Sequence, residues 1–562
     1  DETGKLDCIF FNSYEGYIRK ILPLNSRVII SGKINFYKNR YQITNPTYLG
    51  NNINSIKKVD TKYSLTEGLN EKKYNKIISQ VLNKIPDLNE WLNKNISNKF
   101  ENIKWKDAVI QLHDPKNLNK KGSFYKRLVF DEILSSFLIN SKIRKSVKKL
   151  KKTKKKFSSN NIKHITNKIN FDLTKDQLKA INEINDDLRS EQKMFRLLQG
   201  DVGSGKTIVA LTSILNVINS KFQVAFMAPT EILAQQHYNL AKSLLPDNVK
   251  IDILTSKTDN KIRKKIINDL ENHQIDLLIG THSLFQNKIN YRKLGLIIID
   301  EQHKFGVKQR KKLSDKGGKN CDILVMSATP IPRTMTMTIF GDMDLSIIKS
   351  KPKNRKEITT LSKLDKKINE ILAFLKKQTK NGNQIFWVCP LIEESKKVDH
   401  QSSVSRYEYL KKNFSNKVGI LHGNLDKDKK EKILNDFLNK KIDILVSTTV
   451  IEVGIDFPNA NVIVIENANK FGLSQLHQLR GRVGRGDKEA YCILMFKSNL
   501  SENAKKRIKI LKSSNDGFKI SEEDMKLRGY GDLLGFKQSG IQSFRIADPI
   551  LNEDLFFLAE QE

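Results

Sequence analysis

Between Gly200 and Gly486 seven short segments follow one another in a set order: GDVGSGKT, APTEILAQQH, GTHSL, DEQH, SATPIPR, STTVIEVGID and QLHQLRGRVGRG. A glycine-rich loop alone is a weak signal. A glycine-rich loop, then an acidic strand end, then a Gln/Arg cluster in a second half is a far narrower one. The order also dictates the frame that must carry it. From Phe171 to about Ser350, MFRLLQ, QVAFMAP, DLLIGT, LGLIIID and ILVMSAT alternate with helical stretches, and after Arg355 the runs QIFWVCP, VGILHG, IDILVSTT, NVIVIEN and AYCILMF repeat the pattern. Apolar runs of strand length with helices between them form parallel sheets covered on both faces. Two such α/β halves, with phosphate chemistry on both sides, imply a nucleotide held in the cleft between them.

GDVGSGKT follows the strand-like MFRLLQ and precedes the helix-like IVALTSIL, the setting a phosphate loop requires. Gly200, Gly203 and Gly205 let main-chain N–H groups close around phosphates where a Cβ would block the approach. Lys206 supplies charge to the outer phosphates, and Thr207 offers a hydroxyl to Mg2+. LGLIIIDEQH ends in Asp300 and Glu301, with Asp300 expected to hold the metal and Glu301 to orient the attacking water. QLHQLRGRVGRG places Gln478, Arg482 and Arg485 in the second half, where guanidinium groups reach a γ-phosphate only when the halves close. Gly454 and Asp456 of STTVIEVGID are assigned to the nucleotide as well, and Gln177 in FDLTKDQLKAI offers an amide to adenine. These residues imply ATP and Mg2+ as cofactors and a nucleotide-driven motor acting on nucleic acid.

Thr230 and Glu231, Thr281 and His282, and Thr448 and Thr449 are expected at strand ends on the cleft rim. Hydroxyls and main-chain amides there grip phosphates without reading bases. A helix cap is the alternative for each. Ser327 and Thr329, beside Gln302 and His303, are expected to relay nucleotide state to that track.

The flanks read differently. From Cys8 to about Leu49, CIFF, RVIISGKINFY and RYQIT are β-type runs with a turn at Lys38 and Asn39. They suit a small barrel of the oligonucleotide-binding type or another small β domain. Tyr63 to Asn170 has helical spacing, as in YNKIISQVLNKI and RLVFDEILSSFLI, and ends near the lysine-dense KSVKKLKKTKKKF. Such a run is expected as a solvated face, with a DNA-backbone contact as the alternative. Beyond Ser501 the chain is helical and then glycine-rich. The formal charge of +37, from 99 Lys+Arg against 62 Asp+Glu, favours a polyanionic partner, although an Asn-, Lys- and Ile-rich composition accounts for part of it. Cys8, Cys321, Cys389 and Cys492 are scattered, so structural zinc and a disulfide framework are not expected. No apolar run has membrane-spanning length and no signal peptide opens the chain, so a cytoplasmic protein is expected. The start at Asp1 reads as a fragment lacking an N-terminal portion, and the end near Glu562 as short of part of a helix.

Taken together these residues resemble the superfamily 2 helicases. DEQHKFGVKQR, SATPIPRT, HGNLDKDKKE, ENANKFGLSQLHQLRGRVGRG and NDGFKISEEDMKLRGYGDLLGFKQSG resemble, within them, the RecG family of branched-DNA translocases. FFNSY near Phe10, the stretch from Tyr63 to Leu69 and RLVFDEIL are similar to that family too. The resemblance implies two RecA-like parallel-sheet motor domains, preceded by an OB-fold β-barrel wedge domain and followed by a helical hairpin appendage. The expected boundaries are 1–62 for the wedge, 63–170 for a helical connector, 171–352 and 353–500 for the two motor domains, and 501–562 for the hairpin and its loop. It further implies ATP-dependent remodelling of branched double-stranded DNA, at stalled forks, Holliday junctions and R-loops, in recombination and repair. A monomer is expected, with a single-strand DNA-binding protein as a further partner and no membrane. Phe10 and Phe11 match an aromatic pair of the family's wedge that stacks on an exposed base, two core phenylalanines in a strand being the alternative. The tail resembles a translocation motif shared with Mfd, and Arg528, Gly529, Gly531, Gln538, Ser539 and Gly540 fit it. Tyr530, Asp532 and Asn45 depart from the family's usual Pro, Glu and His. An Mfd-like transcription-repair translocase is the alternative, but it requires a polymerase-binding module where this chain has β runs and a helical connector.

Overall fold

The computed structural model describes the chain except residues 1–3, 12, 38, 47, 52–60, 70, 115–116, 118, 120–121, 150–151, 159–160, 170, 286–288, 302–317, 319, 329, 353–355, 391–395, 415–416, 424, 449–456, 485, 487 and 529–543. It divides into two compact units, Asp1–Asp131 and Glu132–Glu562. The division falls inside the long helix Ser123–Lys148, not at any of the boundaries expected from sequence. No helix among the described residues is long and apolar enough to cross a membrane.

In the first unit, Arg40–Thr44 pairs in parallel with Leu6–Ile9 and antiparallel with Ile34–Tyr37, and Ile29–Ser31 pairs antiparallel with Tyr48–Gly50. The hairpin turns at Asn39, whose φ of +60° is one that Asn tolerates better than most side chains. Lys38, its expected partner in the turn, lies outside the described residues. The first strand stops at Ile9, so Phe10 and Phe11 follow it instead of belonging to it. Phe10 is half-buried and Phe11 is 61% exposed, so neither is a core phenylalanine. Asn45 explains its own departure: at φ +46° its N–H donates to Ile9 O at 2.8 Å, and its Oδ1 accepts from the Phe11 N–H at 2.9 Å. The helical part centres on Arg127 of RLVFDEIL, which is fully buried and paired with Glu90 at 2.9 Å and Asp131 at 3.1 Å.

The second unit holds two parallel sheets. The seven strands of one run in the order Asp344–Ile348, Phe195–Gly200, Asp322–Ser327, Leu294–Ile299, Gln223–Met227, Leu277–Gly280, Ile251–Leu254. The six of the other run Ile358–Leu364, Ala490–Phe496, Ala460–Ile465, Gln384–Val388, Ile444–Ser447, Val418–Leu421. Central strands such as LGLIII and ANVIVI are buried throughout, as sheets with helices on both faces require. The helix Lys206–Asn219 is covered on all sides, with Ile208, Val209, Leu211, Ile214, Leu215, Val217 and Ile218 buried, and each such side chain contributes about 1.5–3 kcal/mol. The terminal appendage is docked: Ile508 and Leu511 of Glu502–Ser513 and Ile520 of Gly517–Arg528 belong to the second lobe's core.

The lysine-dense run is the expected solvated face only in part, with Lys145 and Lys149 exposed. Lys154 and Lys156 are exposed, but Lys152 and Lys155 turn inward onto Asp322 at the start of a central strand, at 2.7 and 2.5 Å, and all three side chains are fully buried. The segment is pinned by its backbone as well, Lys152 N–H to Glu191 O and Lys155 N–H to Leu188 O. Burial holds the Lys152 ammonium below its ordinary pKa, with the Asp322 charge opposing that shift. Removing the shared anion leaves two cations in a dry site. Asp322→Asn is therefore expected to cost about 3–5 kcal/mol of stability. Urea denaturation checks it, and a loss below about 1 kcal/mol would show the lysines are not held by this charge.

Candidate functional site

The glycine loop runs from the end of Phe195–Gly200 to the start of Lys206–Asn219. Gly203 and Gly205 have φ of +75° and +81°, which only glycine adopts cheaply, and a Cβ on Gly205 would run into Gln177. Lys206 Nζ lies 2.7 Å from Gly200 O and 2.9 Å from Asp201 O, so its charge sits over the loop. Ser204 Oγ is buried with no hydrogen-bond partner among the described residues, and Thr207 is half-buried in the first helical turn. A cationic cradle of glycine backbone at a helix N-terminus, with a buried hydroxyl unsatisfied, fits the phosphates of a nucleotide.

The strand Asp322–Ser327 intervenes between the loop's strand and Leu294–Ile299, which places Asp300 two strand spacings, about 10 Å, across the sheet. Ser327 ends the strand between them. Asp300 Oδ2 is 3.0 Å from His237 Nε2, and both side chains are buried. His237 lies on the helix Glu231–Leu244 and stacks on Phe226, with centroids 4.5 Å apart. Nothing in the sequence marks that orienting histidine beyond its place at the end of APTEILAQQH. Glu301 is buried and held at φ +54°, and its N–H donates to Asp300 Oδ1 at 3.0 Å. A non-glycine residue in that region is strained, a feature concentrated at functional sites.

Gln177 is engaged at both ends of its amide. Its Oε1 accepts from the Thr174 N–H in a capping box, and its Nε2 donates to Ser204 O at 2.8 Å. The residue read as an adenine contact is thus also a brace for the phosphate loop. Among the rim residues, Thr230 caps the helix Glu231–Leu244 through Leu233 N–H, and Glu231 accepts from the Ser256 hydroxyl. Thr281 lies against Ser283 at 3.5 Å, and His282 opens a short 3-10 turn. Thr448 is buried behind the end of Ile444–Ser447, not exposed on a rim. Gln302, His303, Thr329, Thr449, Gly454, Asp456, Arg485 and Gln538 lie outside the described residues, as does the side chain of Arg528.

Gln478 is half-buried on the helix Leu473–Arg480, and Arg482 is buried in the turn that follows. This helix meets the phosphate loop directly. His477 Nε2 lies 2.8 Å from Asp201 Oδ1, and Gly481 packs on Val202 so closely that a Cβ there would approach it to 3.0 Å. Lys351, in the link between the sheets, sits 2.7 Å from the other Asp201 oxygen. Burial alone would raise the Asp201 carboxyl, but the His477 hydrogen bond and the Lys351 charge outweigh it and hold the group well below the usual carboxylate range. Burial lowers His477, which favours the neutral ring. A second bridge between the lobes runs from Lys257 to Asp428 at 2.7 Å and Glu431 at 2.6 Å.

A phosphate loop and acidic pair on one parallel-sheet lobe, faced by an arginine segment on another, define an ATP-hydrolysing motor of the helicase kind. Family models agree: DEAD/DEAH box helicase matches residues 174–338, helicase conserved C-terminal domain 365–487, and ATP-dependent DNA helicase RecG, domain 3, C-terminal 514–559. The chain is 43% identical to ATP-dependent DNA helicase RecG of Thermotoga maritima, over 95% of this chain and 68% of the relative. It is 41% identical to the Bacillus subtilis protein of the same description, over 95% and 78%. A solved structure of RecG bound to a three-way DNA junction matches 98% of this chain and 73% of that one, at 39% identity and a TM-score of 0.70. The chain belongs to the RecG family of ATP-dependent DNA helicases.

Proposed function

We propose that this chain uses ATP hydrolysis to move double-stranded DNA arms at branch points, converting forks and four-way junctions. The observation that carries this reading is the near-full-length match to RecG solved on a three-way junction. The exposed Phe11 on the small β unit supports it, since an accessible aromatic at a strand end can stack on an unpaired base. The reading includes Mg2+, action as a monomer and a single-strand DNA-binding protein as partner.

In the cleft, ATP with Mg2+ supplies a phosphoanhydride whose cleavage is strongly downhill. Lys206 would bind and orient its outer phosphates, and Thr207 and Asp300 would hold the metal. Glu301 positions and polarises water for in-line attack, while His237 fixes the Asp300 carboxylate. Arg482 and Arg485 stabilise charge on the γ-phosphate when the lobes close, with Gln478 alongside, which ties hydrolysis to lobe motion. Arg528 and Gln538 transmit that motion to duplex DNA. The test is conversion of a model replication fork to a four-way junction. ATP-dependent conversion is expected, and an ATP-hydrolysing protein that leaves every fork intact would refute the reading.

A further inference from the structure

The helix Leu473–Arg480 is gripped by the C-terminal hairpin at both ends. At its start, Asp524 accepts from the N–H groups of Leu473 and Ser474 at 3.3 and 3.2 Å and from the Ser474 hydroxyl at 2.6 Å. At its finish, Arg480 Nη1 donates to Leu511 O at 2.6 Å and Ser514 O at 2.9 Å, in and just after the last turn of Glu502–Ser513. A helix capped by one hairpin helix and bonded at its other end to the second moves with that hairpin.

Midway along it, His477 touches the other lobe. Arg480 Nη2 lies 2.9 Å from His477 Nδ1. A guanidinium can only donate, so Nδ1 must accept and the ring proton resides on Nε2, donating to Asp201 Oδ1. The direction of the chain is therefore set: hairpin carbonyls, Arg480, His477, Asp201. The same Asp201 oxygen also accepts from the Val202 N–H at 2.7 Å, within the phosphate loop itself. Asp201, His477, Arg480 and Leu511 are all buried. Gly517, the first residue of the second hairpin helix, closes the third side: a Cβ there would stand 2.7 Å from His477 Nε2 and 2.8 Å from Asp201 Cγ.

We propose that Asp201, His477 and Arg480 form a relay through which the phosphate loop and the C-terminal hairpin move together, with His477 as the positioning residue at the joint between the lobes. Hydrolysis does not need the relay, because His477 places no group on the reacting phosphate. Conversion of hydrolysis into duplex movement does, because without the joint the loop can change state while the hairpin stays behind.

This inference rests on the proposed function, and one experiment separates them. ATP consumed per fork regressed is measured for wild type, His477→Ala, His477→Gln and Gly517→Ala. Gln keeps an amide donor for Asp201 and an oxygen to accept from Arg480. Gly517→Ala wedges the pair apart while leaving both side chains in place. In His477→Ala and Gly517→Ala the ratio is expected to rise about 5- to 10-fold, the scale of coupling such contacts carry, with His477→Gln within about twofold of wild type. Ratios equal to wild type in both disrupting variants would overturn the relay, as would parallel loss of hydrolysis and regression, or a Gln variant as impaired as Ala. A wild type that hydrolyses ATP without regressing forks overturns the functional reading instead.

Discussion

Lys206→Ala is expected to reduce ATP hydrolysis by about a thousandfold or more while leaving affinity for forked DNA within about threefold. The ammonium lies over the loop, bonded to Gly200 O and Asp201 O. Without it the cradle keeps its glycine backbone but loses the charge that balances the outer phosphates. The residues proposed to contact DNA, among them Phe11, lie outside this loop, so the two measurements are expected to part. Wild-type-like turnover in this variant would contradict the assignment of the loop.

Glu301→Gln is expected to slow hydrolysis by about 10²- to 10⁴-fold, with nucleotide still bound. The amide keeps the side chain's size and leaves the strained φ of +54° undisturbed, so what is removed is the carboxylate's ability to polarise water. Single-turnover hydrolysis read beside nucleotide binding separates the two effects. A rate within about tenfold of wild type would move the water-activating role to another group.

The motor was legible in the sequence because its chemistry is local. GDVGSGKT needs a strand before it and a helix after it, and both are there. Asp300 and Glu301 close an apolar run, and that run is a central strand. What sequence did not show is pairing at a distance. Asp322 reads as the polar start of a strand, and its two lysines lie 170 and 167 residues away in a run that looks solvated. His477 and Asp201 are 276 residues apart, and nothing in either segment announces the other. Gln177 stands out in the sequence for its amide, but its use as a brace under Ser204 depends on the loop's fold, as the fit of Asn45 depends on a left-handed φ. Thr230 took its capping alternative because the helix starts at the next residue.

ATP hydrolysis between the two lobes is expected to serve the movement of branched duplex. The most direct measurement is the ATPase rate with a fork, a four-way junction, a linear duplex of equal length and an RNA, side by side. Both branched DNAs are expected to stimulate turnover about tenfold or more over linear duplex or RNA, a discrimination of about 1.4 kcal/mol. Equal stimulation by linear duplex, or the largest stimulation by RNA, would contradict it.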